Sequence, residues 1–452
     1  MKFISSSEDL SKYLEISIKK SIEIKSISTD TRTLNKGSLF IAIKGEFIDG
    51  NNHIDEAIKK GASLIISDSK EYLDSKNKRI IYVKNSVLAL KKIAKNIIKE
   101  YQGNIIGITG SNGKTTTTQL ITNSIKRSSS TLKNFNNEIG MPLSIIHANP
   151  KSKTLVIEMG ASKPKDIHYL SSVLKPRIGV ITNIGNSHLK NLINIKGVLK
   201  VKSELVSNIK KNGYLVVPSE NSTHLKFWRK IRNDIHIMTF GLKSDADFYP
   251  KNIRSYSNKI EFNICSKKYN LNIKISTTLL GDHNIKNILA TFAVGFCINN
   301  PIDSFLRGLE KSSVNHLRQK QSKWIKGSLL IDDTYNANPE SVKKSIDLIK
   351  NFNKKRAVFI LGDMKELGRF RKKLHKEVGT YAKSHKVGLF IGFGNLTRFS
   401  VSAFGKNGFF FSDKEQLNEF LVNNIKKEDL VILKGSRGMR MEQFINTHRG
   451  NI

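Results

Sequence analysis

The sequence predicts an α/β protein made of three consecutive modules, and three observations support this prediction. The chain has 452 residues, enough for three domains of the usual ~150 residues. Short apolar runs typical of buried strands alternate with helical patterns over most of its length. A glycine-rich loop stands between one of these runs and the next helical pattern, as in a P-loop ATPase-like domain with a parallel sheet.

Changes in pattern place the module boundaries. The first module is assigned to residues 1–85, the second to 86–312 and the third to 313–452. Within the first two modules we expect strands at 38–43, 64–67, 104–109, 155–158 and 178–182, and helices over 87–101, from Lys114 and over 195–209. The stretch 248–280 alternates apolar and polar residues, which predicts an antiparallel edge.

The third module repeats strand-like runs and helical stretches in strict alternation. The runs lie at 329–333, 357–362, 387–391 and 430–433. Such alternation is typical of βαβ units in a doubly wound sheet, so a Rossmann-like domain is expected at the C-terminal end.

Composition limits the class of protein. The net charge is +38, and the basic residues are spread along the whole length without a single block or arm. We therefore attribute the positive charge to a lysine-rich coding bias and to anionic substrates, and not to specific nucleic-acid binding. Neither a signal-peptide pattern nor an apolar run of membrane-spanning length occurs, and the two cysteines, Cys265 and Cys297, fit no disulfide or metal pattern. A cytoplasmic protein without membrane insertion is expected.

The glycine-rich loop, GITGSNGKTT at 107–116, predicts a phosphate-binding site. Glycines let backbone N–H groups approach phosphate oxygens, and the following helix presents its positive end there. Lys114 is placed to reach the β- and γ-phosphates, and the Thr115 hydroxyl is placed to hold Mg²⁺. The spacing is the shorter TGxxGKT variant of the P-loop. The expected ATP-binding residues of this loop are Gly110, Ser111, Asn112, Gly113, Lys114, Thr115 and Thr116.

A series of motifs before and after this loop resembles the Mur ligase family. The motifs are TDTR at 29–32, GSLFIA at 37–42, NNEIGMP at 136–142, DDTYNANP at 332–339, GDMKELG at 362–368 and KGSR at 434–437. Those from 136 onward are similar to the D-alanyl-D-alanine-adding member. The Asp-Asn-Pro-Arg motif of the diaminopimelate- or lysine-adding member is absent, which argues against that sibling.

The resemblance implies an ADP-forming ligase of peptidoglycan precursor synthesis. Its expected substrates are ATP, D-alanyl-D-alanine and a UDP-N-acetylmuramoyl-tripeptide, whose carboxylate would be activated as an acyl phosphate. The implied architecture is the three-domain Mur ligase fold, and a monomer is expected. The third residue of the tripeptide is expected to be diaminopimelate or lysine.

The same resemblance implies metal ligands for two Mg²⁺ ions. Glu158 ends a predicted strand beside the phosphate loop, which by itself suits a magnesium ligand. His188 is an unusual ligand for a hard cation, and only the match to N-x-x-x-x-H-L favours that role. Lys202 would ordinarily be a surface lysine, but the segment KVKSE at 200–204 aligns with the family's carbamoylated lysine. The catalytic set implied by the resemblance is Lys114, His188 and Lys202.

The remaining implied contacts lie at the two ends of the substrates. Asn284 is expected to bind the adenine, with helix capping as the alternative, and Asp333 the ribose; Arg318 is expected to contact the nucleotide. The residues implied in binding the UDP-linked substrate are Thr31, Arg32, Gly45, Asn136 and Asn137.

The chain departs from the family pattern at three positions. Lys165 and Leu317 stand where glycines are common, and Ser187 stands where alanine is usual. These differences concern loops and not the residues of the expected chemistry.

Two other classes remain as alternatives. A folylpolyglutamate synthetase shares the phosphate loop and fold, but the module that precedes the loop, with its TDTR motif, argues against it. A basic nucleic-acid-binding ATPase would show salt-dependent oligonucleotide affinity without acyl-phosphate chemistry.

Overall fold

The computed structural model describes residues 2–18, 20–45, 48–312, 319–352 and 356–448. These residues form three sheets with parallel strands and one small antiparallel sheet. Helices cover the sheets, so their strands are largely buried and their sequences are apolar runs without alternation.

The first part of the chain forms a four-stranded parallel sheet in the order β1-β2-β3-β4. The two central strands are wholly buried, which explains why they were recognisable in the sequence. The elements are α1 (Ser7–Leu14), β1 (Ser26–Ser28), β2 (Ser38–Ile41), α2 (Ile54–Lys59), β3 (Leu64–Ser67) and β4 (Ile80–Tyr82).

The central part contains a six-stranded parallel sheet in the order β10-β9-β8-β5-β7-β6. Its elements begin with α3 (Ser86–Glu100), β5 (Asn104–Thr109), α4 (Lys114–Ser124), β6 (Ser128–Ser130), α5 (Gly140–Ile146), β7 (Thr154–Glu158) and α6 (Asp166–Leu174). They continue with β8 (Ile178–Ile181), α7 (Leu189–Leu192), α8 (Ile195–Ser203), β9 (Tyr214–Pro218), α9 (Ser222–Ile231) and β10 (His236–Phe240).

The strand order reverses at β5. Strands β6 and β7 lie on one side of it, and β8, β9 and β10 lie on the other. Ligands of open parallel sheets bind at such a switch point, outside the carboxyl ends of the strands. The glycine-rich loop follows β5 and therefore occupies this position.

A separate three-stranded antiparallel sheet follows β10. It consists of β11 (Tyr249–Ser255), β12 (Ile260–Ser266) and β13 (Leu271–Thr277). The antiparallel pairing expected for 248–280 is therefore confirmed. It forms a sheet of its own, which meets the edge strand β10 through a single bridge between Phe240 and Phe248. The helices α10 (Asp282–Cys297) and α11 (Ile302–Glu310) complete this part of the chain.

The last part forms a six-stranded sheet in the order β14-β15-β19-β16-β17-β18, in which only the pairing of β14 is antiparallel. The expected Rossmann-like alternation of strands and helices is present. The elements are β14 (Lys320–Lys323), β15 (Leu329–Asp333), α12 (Pro339–Asp347), β16 (Arg356–Gly362), α13 (Arg371–Ser384), β17 (Leu389–Phe393), α14 (Arg398–Phe404), β18 (Gly408–Phe411), α15 (Lys414–Asn424), β19 (Asp429–Lys434) and α16 (Glu442–Thr447).

One predicted helix is shorter than expected. The helix expected over 195–209 ends at Ser203. The chain then continues through a 3₁₀ turn at Val206–Asn208. Leu205 and Ile209 on either side of that turn are buried, so a tighter turn brings these apolar side chains into the core.

Candidate active site

A cavity of about 1390 Å³ lies at the carboxyl ends of β5, β7 and β15, between the central and last parts of the chain. Most of the predicted nucleotide and metal residues line it, and so do two of the predicted substrate residues: Ser111, Asn112, Gly113, Lys114, Thr115, Thr116, Asn136, Asn137, Glu158, His188, Asn284 and Asp333.

The phosphate loop has the backbone form that its sequence predicts. Gly113 has φ of 81°, a left-handed conformation, and a Cβ there would lie 2.5 Å from Oδ1 of Asn287. Helix α4 begins at the next residue, so its positive end faces the cavity. Nζ of Lys114 donates to the carbonyl of Gly110 at 2.8 Å, which folds the ammonium back over the loop.

Ser111 and Asn112 join the loop to its neighbours. The Ser111 hydroxyl donates a hydrogen bond to the carbonyl of Gly185 at 2.9 Å and accepts one from the Ser187 hydroxyl at 3.0 Å. Ser187, which stands where alanine is usual in the family, thus contacts the phosphate loop through its hydroxyl. Nδ2 of Asn338 donates to Oδ1 of Asn112 at 2.7 Å, so the last part of the chain docks directly on this loop.

Thr115, Asn136 and Glu158 form one hydrogen-bonded group at the end of β7. The Thr115 hydroxyl donates to one carboxylate oxygen of Glu158 at 2.8 Å, and Nδ2 of Asn136 donates to the other at 2.8 Å. Glu158 is 3% exposed. The structure therefore brings together a predicted nucleotide residue, a predicted metal ligand and a predicted substrate residue. The neighbouring Asn137 uses Oδ1 to accept the backbone N–H of Gly140 at 2.8 Å.

Lys202 is buried on α8, with only 1% of its surface exposed. Burial, together with the positive charge of Lys114, lowers the pKa of its ammonium to about 7. The reading of Lys202 as an ordinary surface lysine is therefore wrong, whereas it holds for the exposed Lys200. Lys202 is not among the residues that line the cavity, but it lies within electrostatic reach of Lys114 and Glu158.

His188 lies just after β8 in a left-handed conformation, with φ of 51°. Its Nδ1 is 2.6 Å from Oε2 of Glu366, at an angle that is not that of an aligned hydrogen bond. Contact with His188 lowers the pKa of the Glu366 carboxyl. The histidine thus meets the last part of the chain at the cavity edge.

The nucleoside end of the cavity contains Asn284 and Asp333. Nδ2 of Asn284 donates to the carbonyl of Leu280 at 2.8 Å, and the cap of α10 is Gly281, so the capping alternative for Asn284 is wrong. Oδ2 of Asp333 lies 2.5 Å from Nζ of Lys434. Arg318 lies outside the residues that the structure describes.

The three residues predicted to hold the UDP group in the first part of the chain do not line this cavity. The Thr31 hydroxyl donates to Glu56 at 2.9 Å, and Arg32 is paired with Asp30 at 2.7 Å. The backbone N–H of Gly45 donates to the carbonyl of Ile48 at 2.8 Å. Their assignment to the UDP group stays a prediction.

Sequence reasoning missed Lys434, Asn338 and Glu366 as site residues, although all three lie in the quoted motifs. Lys434 had a detectable signal. It ends a predicted strand as Asp333 does, and the two residues are register partners on adjacent parallel strands. Parallel strands end at the same sheet edge, so the pair was deducible once the strand order was known. Asn338 and Glu366 carried no such local signal.

The oxygen donors suit magnesium at one of the two expected sites. Mg²⁺ is usually held by one or two carboxylates and by substrate phosphates, and Glu158 with the Thr115 hydroxyl supplies such donors beside the phosphate loop. Over the described ranges, no group of three or more His, Cys, Asp or Glu side chains converges as a ready metal cage. Phosphate oxygens would have to complete the ligand set.

The fold and this cavity define a P-loop nucleotide-binding enzyme whose site is closed by a further α/β module. Three family models match the chain in order: the Mur ligase family catalytic domain at 23–99, the Mur ligase middle domain at 108–295 and the Mur ligase glutamate ligase domain at 318–437. A curated relative from Haemophilus influenzae, UDP-N-acetylmuramoyl-tripeptide--D-alanyl-D-alanine ligase, is 32% identical over 447 residues, covering 96% of this chain and 95% of the relative. The chain belongs to the Mur ligase family.

Solved structures agree with this assignment. A MurF crystal structure from Acinetobacter baumannii covers 98% of both chains with a TM-score of 0.88; its identity is 23%, so it bears on the fold alone. A MurF ligase from Thermotoga maritima in complex with ADP has a TM-score of 0.83 at 27% identity, covering 94% of this chain and 97% of that one. The expected three-domain Mur ligase fold is confirmed.

Proposed function

We propose that this protein is an ATP-dependent ligase that joins D-alanyl-D-alanine to the carboxylate of a UDP-N-acetylmuramoyl-tripeptide in peptidoglycan precursor synthesis. The observation that carries the proposal is the match, over 96% of the chain, to an enzyme named for this reaction. The ADP complex of the Thermotoga maritima relative supports ATP as the co-substrate.

The chemistry explains the residues of the cavity. A carboxylate is a poor electrophile, so the γ-phosphoryl group of ATP is first transferred to it, giving an acyl phosphate and ADP. The amine of the dipeptide then attacks the acyl carbon, and phosphate leaves. Such transfer needs positioning and charge neutralisation. The backbone of 110–113 and the N-terminus of α4 orient the phosphates, and Lys114 neutralises their charge.

Thr115 and Glu158 would hold Mg²⁺ beside these phosphates. When bound, the ion neutralises negative charge that develops on the transferred group. Docking of Asn338 on Asn112 brings the last module over the cavity and limits the access of water to the acyl phosphate.

The burial of Lys202 supports its assignment as a carbamoylated lysine. Reaction with CO₂ needs the neutral amine, and burial favours the neutral form. The product carries anionic oxygen, which suits a second magnesium site together with His188.

The substrate residues fall in two groups. Asn136 and Asn137 lie beside the phosphate loop and would contact the peptide end near the reacting carboxylate. Thr31, Arg32 and Gly45 lie in the first module and would bind the UDP end. Asn284, Asp333 and Arg318 would bind the adenosine.

A cytoplasmic monomer is proposed. No helix of the described chain is long and apolar enough to cross a membrane. The UDP-linked substrate and ATP are anionic, so the net charge of +38 favours their approach without specific nucleic-acid binding.

The test is phosphate release with purified protein, ATP, Mg²⁺ and D-alanyl-D-alanine, using the diaminopimelate and the lysine tripeptide in separate assays. We expect turnover only when both the dipeptide and one UDP-linked tripeptide are present. The better of the two tripeptides identifies the third residue. Equal turnover with single D-alanine in place of the dipeptide would disprove the assignment.

A further inference from the structure

The loop 362–368, between β16 and α13, reaches from the last module to His188. Oε2 of Glu366 lies 2.6 Å from Nδ1 of His188. The backbone N–H of Lys190 donates to the carbonyl of Glu366 at 3.0 Å. Both contacts fall on one short turn of the central module, so the loop is seated there by side chain and backbone together.

The loop is held from behind by its own module. The backbone N–H of Met364 donates to Nε2 of the buried His375 at 3.1 Å, and that of Lys365 donates to the Ser436 hydroxyl at 2.8 Å. Glu366 itself has φ of 62°, a left-handed conformation that is unfavourable for a residue with a side chain. Such strain persists only where the surrounding contacts impose it, and it is common at functional sites.

The backbones approach so closely at this place that a side chain would interfere. A Cβ on Gly368 would lie 3.0 Å from Cα of Lys190. The glycine therefore permits the close approach of the two backbones. The Glu366 side chain is 58% exposed and is not needed to fill a core.

The ring of His188 presents two different edges. Nδ1 is buried against Glu366, whereas the side chain as a whole is 31% exposed and lines the cavity. The exposed part of the ring is therefore the part away from Nδ1, which includes Nε2. Although the contact is not an aligned hydrogen bond, the negative charge of Oε2 at 2.6 Å from Nδ1 favours the tautomer with its proton on Nδ1, which leaves the lone pair on Nε2.

We propose that Glu366 is a positioning residue that orients the His188 ring and fixes its tautomer, with Nε2 presented to the cavity. This inference rests on the proposed function only for its kinetic consequence. Because Glu366 belongs to the last module, His188 gains its orienting carboxylate only when that module is docked. Module docking and assembly of the His188 side of the site are thereby coupled.

The direct test is NMR of the full-length protein labelled with ¹⁵N-histidine, in EDTA with saturating ADP and about two pH units above the ordinary imidazole pKa of ~6.5. The His188 signals are assigned by their loss in His188→Asn. In the wild type we expect the proton on Nδ1. In Glu366→Gln and Glu366→Ala we expect population of the Nε2-protonated form, more in the alanine variant because a glutamine oxygen can still accept. A wild type with the proton on Nε2, or variants with unchanged signals, would overturn the inference.

The kinetic arm uses the ligase assay with both substrates. Loss of an orienting partner of this kind costs about 10–100-fold in activity. We expect that loss in kcat for Glu366→Ala, a smaller loss for Glu366→Gln, and unchanged KM for ATP and the UDP-linked tripeptide. Glu377→Gln, which removes the same charge from the same module, should leave kcat unchanged. A rise in KM for ATP without a fall in kcat would indicate a docking role instead. An inactive wild type would disprove the proposed function, while the NMR result would still decide the positioning.

Discussion

Lys200 and Lys202 are two lysines of one helix, α8, with opposite surroundings. Lys200 is exposed, whereas Lys202 is enclosed by the core beside Lys114 and Glu158. Removing a cation from water is costly, and the nearby Lys114 adds repulsion. The same side chain is therefore in solvent at one position and shifted toward the neutral amine at the other.

Replacement of Lys202 should abolish most of the ligase activity, because the variant would lose the anionic oxygen that the proposed carbamate would provide. Lys200→Ala should be nearly neutral, and small carboxylates such as acetate should partly restore Lys202→Ala only. The carbamate itself is measured by ¹³CO₂ labelling and NMR at neutral pH. Full activity of Lys202→Ala without a carbamate signal would show that the assignment is wrong.

The carbamate signal should depend on pH in a fixed direction. The pKa of Lys202 is lowered from 10.5 to about 7, so the neutral amine dominates above that pH and the ammonium dominates below it. We therefore expect more carbamate in a sample about one pH unit above 7 than in one a unit below, at equal dissolved CO₂. The opposite order would exclude an amine-limited reaction.

At the scale of an element, the start of α6 shows how the chain accommodates a departure from the family pattern. Lys165 caps this helix with φ of 71°, the conformation for which glycine is suited. Glu204 accepts the backbone N–H groups of Lys165 at 2.8 Å and His168 at 2.9 Å, which holds the turn in place. The glycine common in the family is thus explained by backbone geometry.

Lys165→Gly should stabilise the protein slightly. Relief of a left-handed L-residue is worth about 1–2 kcal/mol, and the greater freedom of glycine in the unfolded chain offsets about 0.4–1 kcal/mol of it. The midpoint of the denaturation transition should therefore rise or stay level. Lys163→Gly, an exposed lysine of the same loop without positive φ, should lower it. Equal destabilisation by both changes would contradict the strain argument.

At the scale of the whole molecule, the residues proposed for the two ends of the substrates lie in different places. The described residues proposed for the adenosine and the phosphates line the cavity between the central and last modules, whereas the 29–32 motif lies in the first module and does not line that cavity. The contacts Asn112–Asn338 and His188–Glu366 join the central module to the last module at this cavity. A substitution at the proposed UDP-binding residues should therefore leave the binding of ATP unchanged.

Arg32→Ala should raise KM for the UDP-linked tripeptide and leave KM for ATP unchanged. Arg32 is 84% exposed and pairs with the nearby Asp30, so its loss should cost little stability, because exposed ion pairs contribute little to the free energy of unfolding. The measurement is steady-state kinetics with each substrate varied in turn. Arg79→Ala, another exposed arginine of the first module, is the control and should change neither KM. Equal weakening of both substrates by Arg32→Ala would indicate a folding role.

Sequence reasoning reached the strands and the phosphate loop because both are local. The strand expected at 104–109 and the helix from Lys114 are reproduced at those residues. The apolar run of a strand in a parallel sheet and a glycine-rich loop before a helix can each be recognised from residues that are neighbours in the sequence. The helix over 195–209 was too long because its end depends on how Leu205 and Ile209 pack, which no local pattern records.

By itself the sequence determined the α/β class, the order of the modules and the position of the phosphate loop. These depend on periodicity and on residues that need particular backbone geometry. Only the tertiary structure decided that Lys202 is buried, that Asn136 and Thr115 share Glu158, and that Glu366 meets His188. These contacts join segments that are far apart in the chain. The distances between such residues are set by strand order and module docking, and the spacing of the residues along the sequence does not determine them.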